Sequence, residues 1–311
     1  MGFRAGLFTS ILGLLPACPV TWADSYALSP TFGFPAEKIN NIGQIVGLAI
    51  PAVTGSPAFV ESNGTVKTFL IPGSTETDAF GINDAGQIVG TFYTVNTTRA
   101  YLDSGGVFTT NQPFGNSTAD ASGINNSGQI VGDFIDTAGV QHGYVDSKGV
   151  FSTIDLGKAT FPLDINNVGQ IVGYYVDSQN FLHGFLDSKG VVTTINVPGS
   201  VMGTTVANSI NDLGQIVGYY TASAGIYHGY LDSNGVFTVI DIPGGNGVAT
   251  GINDAGQIVV SRAGIVVSRA SRSYLATPTV PEPSSLFLLA CGLTGVGLVS
   301  RWKRTTRGNS D

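Results

Sequence analysis

The sequence predicts an all-β fold, a six-bladed β-propeller of about 42-residue, four-stranded repeats. Three observations predict it: one decapeptide returns six times, four short strand-like segments fill each repeat, and no segment reads as helix within the repeats. The decapeptide appears as KINNIGQIVG, GINDAGQIVG, GINNSGQIVG, DINNVGQIVG, SINDLGQIVG and GINDAGQIVV. Its glutamines fall at Gln44, Gln87, Gln129, Gln170, Gln215 and Gln257, in steps of 43, 42, 41, 45 and 42.

A second half-motif follows each of the first five copies, as in HGYVDSKGVFSTIDLG and HGYLDSNGVFTVIDIPG. Asn-Asp-Ala-Gly and Asp-Ser-Asn-Gly fit hairpin turns, with an Asx side chain starting the turn and Gly supplying the left-handed backbone. In QIVGYY both Ile and Val are apolar, as expected for a strand buried on both faces between neighbouring sheets. A parallel β-helix is the competing architecture, but its coils are normally shorter than 40 residues and do not carry two hairpins each. The sixth unit ends at SRSYLATP without its last strand, and residues 25–41, SYALSPTFGFPAEKINN, precede the first copy. An N-terminal strand is therefore expected to complete the last blade and remove the exposed edge.

Composition agrees. The chain of 311 residues is 42% hydrophobic, only 11% charged and contains 43 Gly. Residues 24–280 carry nine basic and 19 acidic side chains, a balance of about −10, which disfavours nucleic acid and anionic membrane as partners of this region.

Both ends read as targeting segments. Residues 1–23 form a signal peptide: Arg4, an apolar run over 5–15, then Thr21-Trp22-Ala23, with signal peptidase cleavage expected after Ala23. Leu15-Pro16-Ala17-Cys18 resembles a lipoprotein box, which Pro16 fits poorly. Residues 24–280 are the propeller and 281–311 the tail, with a short transmembrane helix at 284–300 and a basic end at 301–307. The 14 residues 286–299 would cover roughly 21 Å as a helix, a marginal span of a core about 30 Å thick. The two cysteines, Cys18 and Cys291, lie in these end segments, so disulfides do not hold the body together.

Pro281, Glu282 and Pro283, then an apolar stretch, then Arg301, Lys303, Arg304 and Arg307 resemble the PEP-CTERM sorting signal handled by exosortases. That resemblance implies a Gram-negative producer of exopolysaccharide, transient inner-membrane anchoring through the C-terminal helix, cleavage near Pro283, and release to the envelope or outside. The alternation of IN-x-x-GQIVG with HGY or HGF, over residues 38–278, resembles the extracellular HAF repeat. Here Gly follows His, and Pro57, Arg99 and Arg272 stand at the His position of units one, two and six. The resemblance implies a secreted repeat protein without implying an activity.

The three histidines, His142, His183 and His228, share one repeat position. They could hold Zn²⁺ only by converging on the central channel; the favoured reading has each bonded within its own blade, with no metal and no cofactor. Phe92, Phe134, Tyr175 and Tyr220 are expected to pack between blades. Tyr93, Tyr174 and Tyr219, one residue along, should point the other way, so that Tyr174 and Tyr219 join the histidines as candidate ligand-binding residues. Asp133 and Asp136 could form a carboxylate pair. The glycines of residues 244–251 lack the strand–turn–helix context of a nucleotide site, and the Asp-Ser-x-Gly turns lack the acidic spacing of a Ca²⁺ loop. The Gln of each decapeptide is expected to bond to the next blade. The sequence thus reads as a non-enzymatic exported surface or matrix protein associated with exopolysaccharide. The alternatives are a carbohydrate-binding propeller and a glycan hydrolase or lyase.

Overall fold

The computed structural model describes residues 21–22, 26–30, 33–49, 55–115, 118–201, 203–222, 225–262 and 273–279. Six sheets radiate from a common axis. Blade II shows the pattern: Glu76–Ile82 is the first and innermost strand, followed outward by Ile88–Tyr93, Thr98–Ser104 and Val107–Asn111. Blades I, III, IV and V repeat it over residues 36–69, 119–154, 159–195 and 205–240. Blade VI takes Gly247–Ile252, Ile258–Arg262 and Ser273–Pro278 from the end of the array, and its fourth strand is Tyr26–Pro30, with Tyr26 opposite Pro278 and Pro30 opposite Tyr274. The ring is closed as the sequence led us to expect. Thr21–Trp22 also pair in parallel with Thr238 and Val239 on the outer strand of blade V. They precede the cleavage expected after Ala23, which lies outside the described residues, as do Pro281, Glu282, Pro283, the helix at 284–300 and the basic end.

Each decapeptide builds the hairpin between the first and second strands. In blade II the Asn83 Oδ1 accepts the Ala85 and Gln87 amides at 3.1 and 3.0 Å, the Gly86 amide donates to the Asn83 carbonyl, and Gly86 sits at φ 75°. A side chain is disfavoured in that left-handed region. Gly90, the last residue of the motif, is required for a different reason: a Cβ there would lie 1.9 Å from the Asp78 carbonyl oxygen. The fully buried Tyr101, opposite Gly90 in the register, occupies the space, with its hydroxyl donating to that same carbonyl at 3.0 Å. Phe59, Tyr144, Phe185 and Tyr230 stand opposite Gly47, Gly132, Gly173 and Gly218 in the register of the other blades, without that hydroxyl bond. In blade VI Val260 takes the glycine's place.

The blades are glued in two ways. Apolar residues from facing sheets form six clusters, one per blade interface, such as Val46, Ala58, Ile82, Ile88 and Tyr101 between blades I and II. The motif asparagines add a closed polar ring. Asn40, Asn83, Asn125, Asn166, Asn211 and Asn253, each 2–4% exposed, donate Nδ2 to the carbonyl of the corresponding Asn in the next blade at 3.0–3.2 Å, and Asn253 returns to Asn40. A second ring lies outside it, in which the amides of Asn41, Asp84, Asn126, Asn167, Asp212 and Asp254 each donate to the next blade's side-chain oxygen at 2.7–2.9 Å.

The motif glutamines do not make the inter-blade bond expected of them. Their Oε1 accepts from the Asn Nδ2 of their own blade at 2.8–2.9 Å. The Gln holds the Asn amide in place, and the Asn reaches the neighbour.

These contacts rank two substitutions. Asn125→Ala removes an almost fully buried group with four hydrogen-bonding partners and is expected to cost about 3 kcal/mol in urea unfolding. Tyr144→Phe removes a buried hydroxyl that has no partner, at a position where blades I and IV already carry Phe, and is expected to leave stability unchanged or raise it by up to about 1 kcal/mol.

Candidate functional site

All six innermost strands carry a bulge at the same place, where the register slips between Ala79 and Gly81 in blade II and at the equivalent pairs elsewhere. The residue after the bulge approaches the next blade closely: a Cβ on Gly81 would lie 3.1 Å from the Gly123 Cα, and one on Gly251 would lie 2.9 Å from the Lys38 Cα. Glycine at 81, 123 and 251 leaves room for the long side chain of Lys38. It crosses the axis from blade I to the opposite blade IV, where Nζ meets Asp164 Oδ2 at 3.2 Å and also donates to the Asn208 carbonyl. Ser209 Oγ and the Ile210 amide donate to the same carboxylate oxygen at 2.5 and 3.2 Å. The channel is pinched here, and the space between this bridge and the asparagine ring is about 60 Å³.

Toward the other mouth the repeats diverge. The first-strand residue two before the bulged position is Asp78 in blade II, Asp120 in III, Phe161 in IV, Val206 in V and Val248 in VI. Its cross-strand partners are Thr91, Asp133, Tyr174, Tyr219 and Ser261. Blades II and III thus supply carboxyls and blades IV and V supply aromatic rings. Thr91 Oγ1 donates to Asp120 at 2.7 Å, bridging blades II and III, and the Gln141 amide donates to Asp133. Tyr174 stacks on Phe161 at 4.6 Å and 12°, while Tyr219 meets Tyr227 edge-on at 5.5 Å.

The carboxyls resist ionisation. Burial first, then Glu76, Glu37 and Asp120, push Asp78 up to about 7 against a hydrogen bond from Tyr93; burial, opposed by Lys38, takes Glu37 to about 7 as well. Burial also raises Asp120 and, with the Asp120 charge, Asp133. Burial raises the Tyr174 hydroxyl, followed by the effects of Tyr219 and Asp133, which places those three groups in one neighbourhood.

Of the candidates read from the sequence, Tyr174 and Tyr219 are therefore brought together. The histidines are not. Each lies on a third strand, farther from the axis, stacked on the ring of its own second strand: His142 on Phe134, His183 on Tyr175 and His228 on Tyr220, at 5.3–5.5 Å. His142 bonds Asp155 at 2.7 Å and Asp136 at 3.3 Å, His183 bonds Asn196 and Asp177 at 3.1 Å, and His228 bonds Asp241 at 3.0 Å. Among the described residues no group of His, Cys, Asp and Glu is arranged to hold a metal. Asp133 and Asp136 do not pair: Asp136 instead closes a hairpin by accepting the Ala138 and Val140 amides at 2.8 Å. Phe92, Phe134 and Tyr220 are buried between blades as expected.

The sequence reading missed Glu37, Lys38, Asp78, Asp120 and Asp164. The signal that finds them is departure from the repeat, since each stands where other blades carry unrelated residues.

The fold and its terminal signal define an exported six-bladed β-propeller protein carrying an exosortase-type sorting signal. Residues 279–304 match the family described as PEP-CTERM protein-sorting motif. Among solved structures, TolB from Acinetobacter baumannii is 15% identical, with a TM-score of 0.55 over 80% of this chain and 67% of its own. AofleA from Arthrobotrys oligospora is 12% identical, with a TM-score of 0.50 over 78% and 86%. The Aleuria aurantia lectin in complex with Fucα1-6GlcNAc is 12% identical, with a TM-score of 0.46 over 85% and 100%. At these identities the likeness concerns the fold. No curated protein matches the chain, and among the described residues no helix is long and apolar enough to cross a membrane.

The raised carboxyls set a pH dependence. Unfolded carboxyls titrate near 4, so between about 4 and 7 the folded state holds more protons, and stability falls as pH rises through that window. Asp136 and Asp177 are held below their usual range and act only at lower pH. Thermal unfolding is expected at a higher temperature at pH 5 than at pH 7.5, and Asp78→Asn is expected to shrink the difference.

Proposed function

We propose that this protein is a non-enzymatic, glycan-binding propeller of the HAF-repeat type, exported by a Gram-negative bacterium, processed by signal peptidase and an exosortase, and engaged with that cell's exopolysaccharide. The observation that carries this is the layer beyond the Lys38–Asp164 bridge, where the half-buried rings of Phe161, Tyr174 and Tyr219 in blades IV and V hold the register positions that carry Asp78, Asp120 and Asp133 in blades II and III. Sugar rings present apolar C–H faces that pack on aromatic rings and hydroxyls that donate to carboxyl oxygens, so a surface half aromatic and half acidic suits them. Asp120 and Asp133 are held by Thr91 and Gln141. That favours a binding role over that of a mobile general acid. The sorting tail supports placement in the envelope, and transient anchoring through residues 284–300 belongs to the same reading.

Affinity electrophoresis of the full-length chain through gels containing bacterial polysaccharides tests the proposal. At least one acidic or neutral polysaccharide should retard the protein, and the double variant Tyr174→Ala/Tyr219→Ala should bind about tenfold more weakly. Migration unaffected by every polysaccharide, or retardation unchanged in the double variant, would overturn it.

A further inference from the structure

A groove of about 650 Å³ opens between blades II and III on the side of the asparagine ring, away from the acidic and aromatic mouth. Asn111, the last residue of blade II's outer strand, lines it. Register places Asn111 opposite Ala100, the position filled by Phe69, Ile154, Ile195 and Ile240 in blades I, III, IV and V. An apolar residue is the rule there, because the site is buried, and Asn111 is itself only 6% exposed.

The orientation of its amide is fixed by Asp146 across the interface. Asp146 Oδ1 accepts the Gly149 amide at 2.6 Å and Oδ2 accepts Asn111 Nδ2 at 2.9 Å. A carboxylate accepts and an amide oxygen cannot donate, so Asn111 must turn its nitrogen to Asp146 and its oxygen away. That oxygen has no hydrogen-bond partner. Leaving a buried acceptor unmet costs about 1–3 kcal/mol, a cost that Ile in its place would avoid. Leu102, Ile130 and Phe151 line the same groove, while Gln87, Asn126 and Lys148 line it with polar groups.

We infer that this groove is a second glycan site, which takes a 2-acetamido sugar residue. The inference rests on the glycan-binding reading only for the class of ligand, since it uses none of the same residues. The acetamido N–H donates to Asn111 Oδ1, the acetyl methyl covers the apolar wall, and ring hydroxyls meet the polar groups. A secondary amide supplies a donor flanked by an apolar group, which matches a groove lined both by Asn111, with its unmet acceptor, and by Leu102, Ile130 and Phe151. The volume suits one or two pyranose rings.

Titration of the purified full-length chain with N,N′-diacetylchitobiose, followed by calorimetry and by ligand-observed NMR, tests this. Saturable binding is expected, about tenfold weaker for cellobiose and for the deacetylated disaccharide. Asn111→Ile restores the residue of three other blades and is expected to fold normally while weakening binding about tenfold; Tyr174→Ala/Tyr219→Ala is expected to leave it unchanged. No binding of the diacetyl disaccharide, equal binding of cellobiose, or full binding by Asn111→Ile overturns the groove. If the tyrosine variant loses polysaccharide retardation while Asn111→Ile binds the diacetyl disaccharide fully, the mouth stands without the groove. If Asn111→Ile loses the disaccharide while the tyrosine variant is retarded like the parent, the groove stands without the mouth.

Discussion

The structure depends on one hydrogen bond made six times. An asparagine amide donates simultaneously to its own glutamine and to the carbonyl of the next asparagine, and the sixth donation returns to the first blade. Each donor is buried, so a blade that swings away strands an unpaired polar group, whereas apolar contact alone tolerates sliding. The apolar clusters supply the bulk of the cohesion; the ring sets how far each blade is rotated from its neighbour. A circle of this kind satisfies all its members only when complete, and Asn253 of blade VI completes it by donating to Asn40 of blade I.

This division of labour explains what was legible in the sequence. Blade number, hairpins and closure could be read because the ring repeats: Asn, Gly and Gln must recur wherever the turn recurs. The role of Gln87 was misjudged because turn chemistry cannot say whether its amide reaches outward or back, and geometry places the partner, Asn83, within its own blade. The histidines were legible as locally satisfied groups, since each travels with an Asp or Asn thirteen residues later. The mouth was only half legible. Tyr174 and Tyr219 share a repeat position and could be aligned, but Asp78 and Asp120 acquire meaning only when curvature of the ring sets blade III beside IV and blade II across the axis from V. Asn111 was invisible for the opposite reason, because one polar residue at the end of a strand resembles a loop residue until its burial is known.

The Lys38–Asp164 bridge divides the molecule into two separate faces. It lies across the axis between opposite blades, with Asp164 also fixed by Ser209 and Ile210. Burial makes the lysine easier to deprotonate, and the Asp164 carboxylate opposes that effect. Such a pair adds little net stability compared with apolar residues, but removing either member leaves an uncompensated charge. Its effect here is geometric: it lies across the axis between the asparagine ring and the layer of Asp78, Asp120, Tyr174 and Tyr219.

The closing strand pair sits at the two extremes of the propeller, and the sorting motif begins at residue 279, one residue after the last strand ends. In chain order five blades are therefore complete before blade VI receives its last three strands. The earliest strand waits for the latest, a pairing across nearly 250 residues that carries a large loop-closure delay. Completion of the circle and arrival of the sorting motif thus coincide. No linker separates them, so the sorting motif adjoins the very seam at which the ring closes.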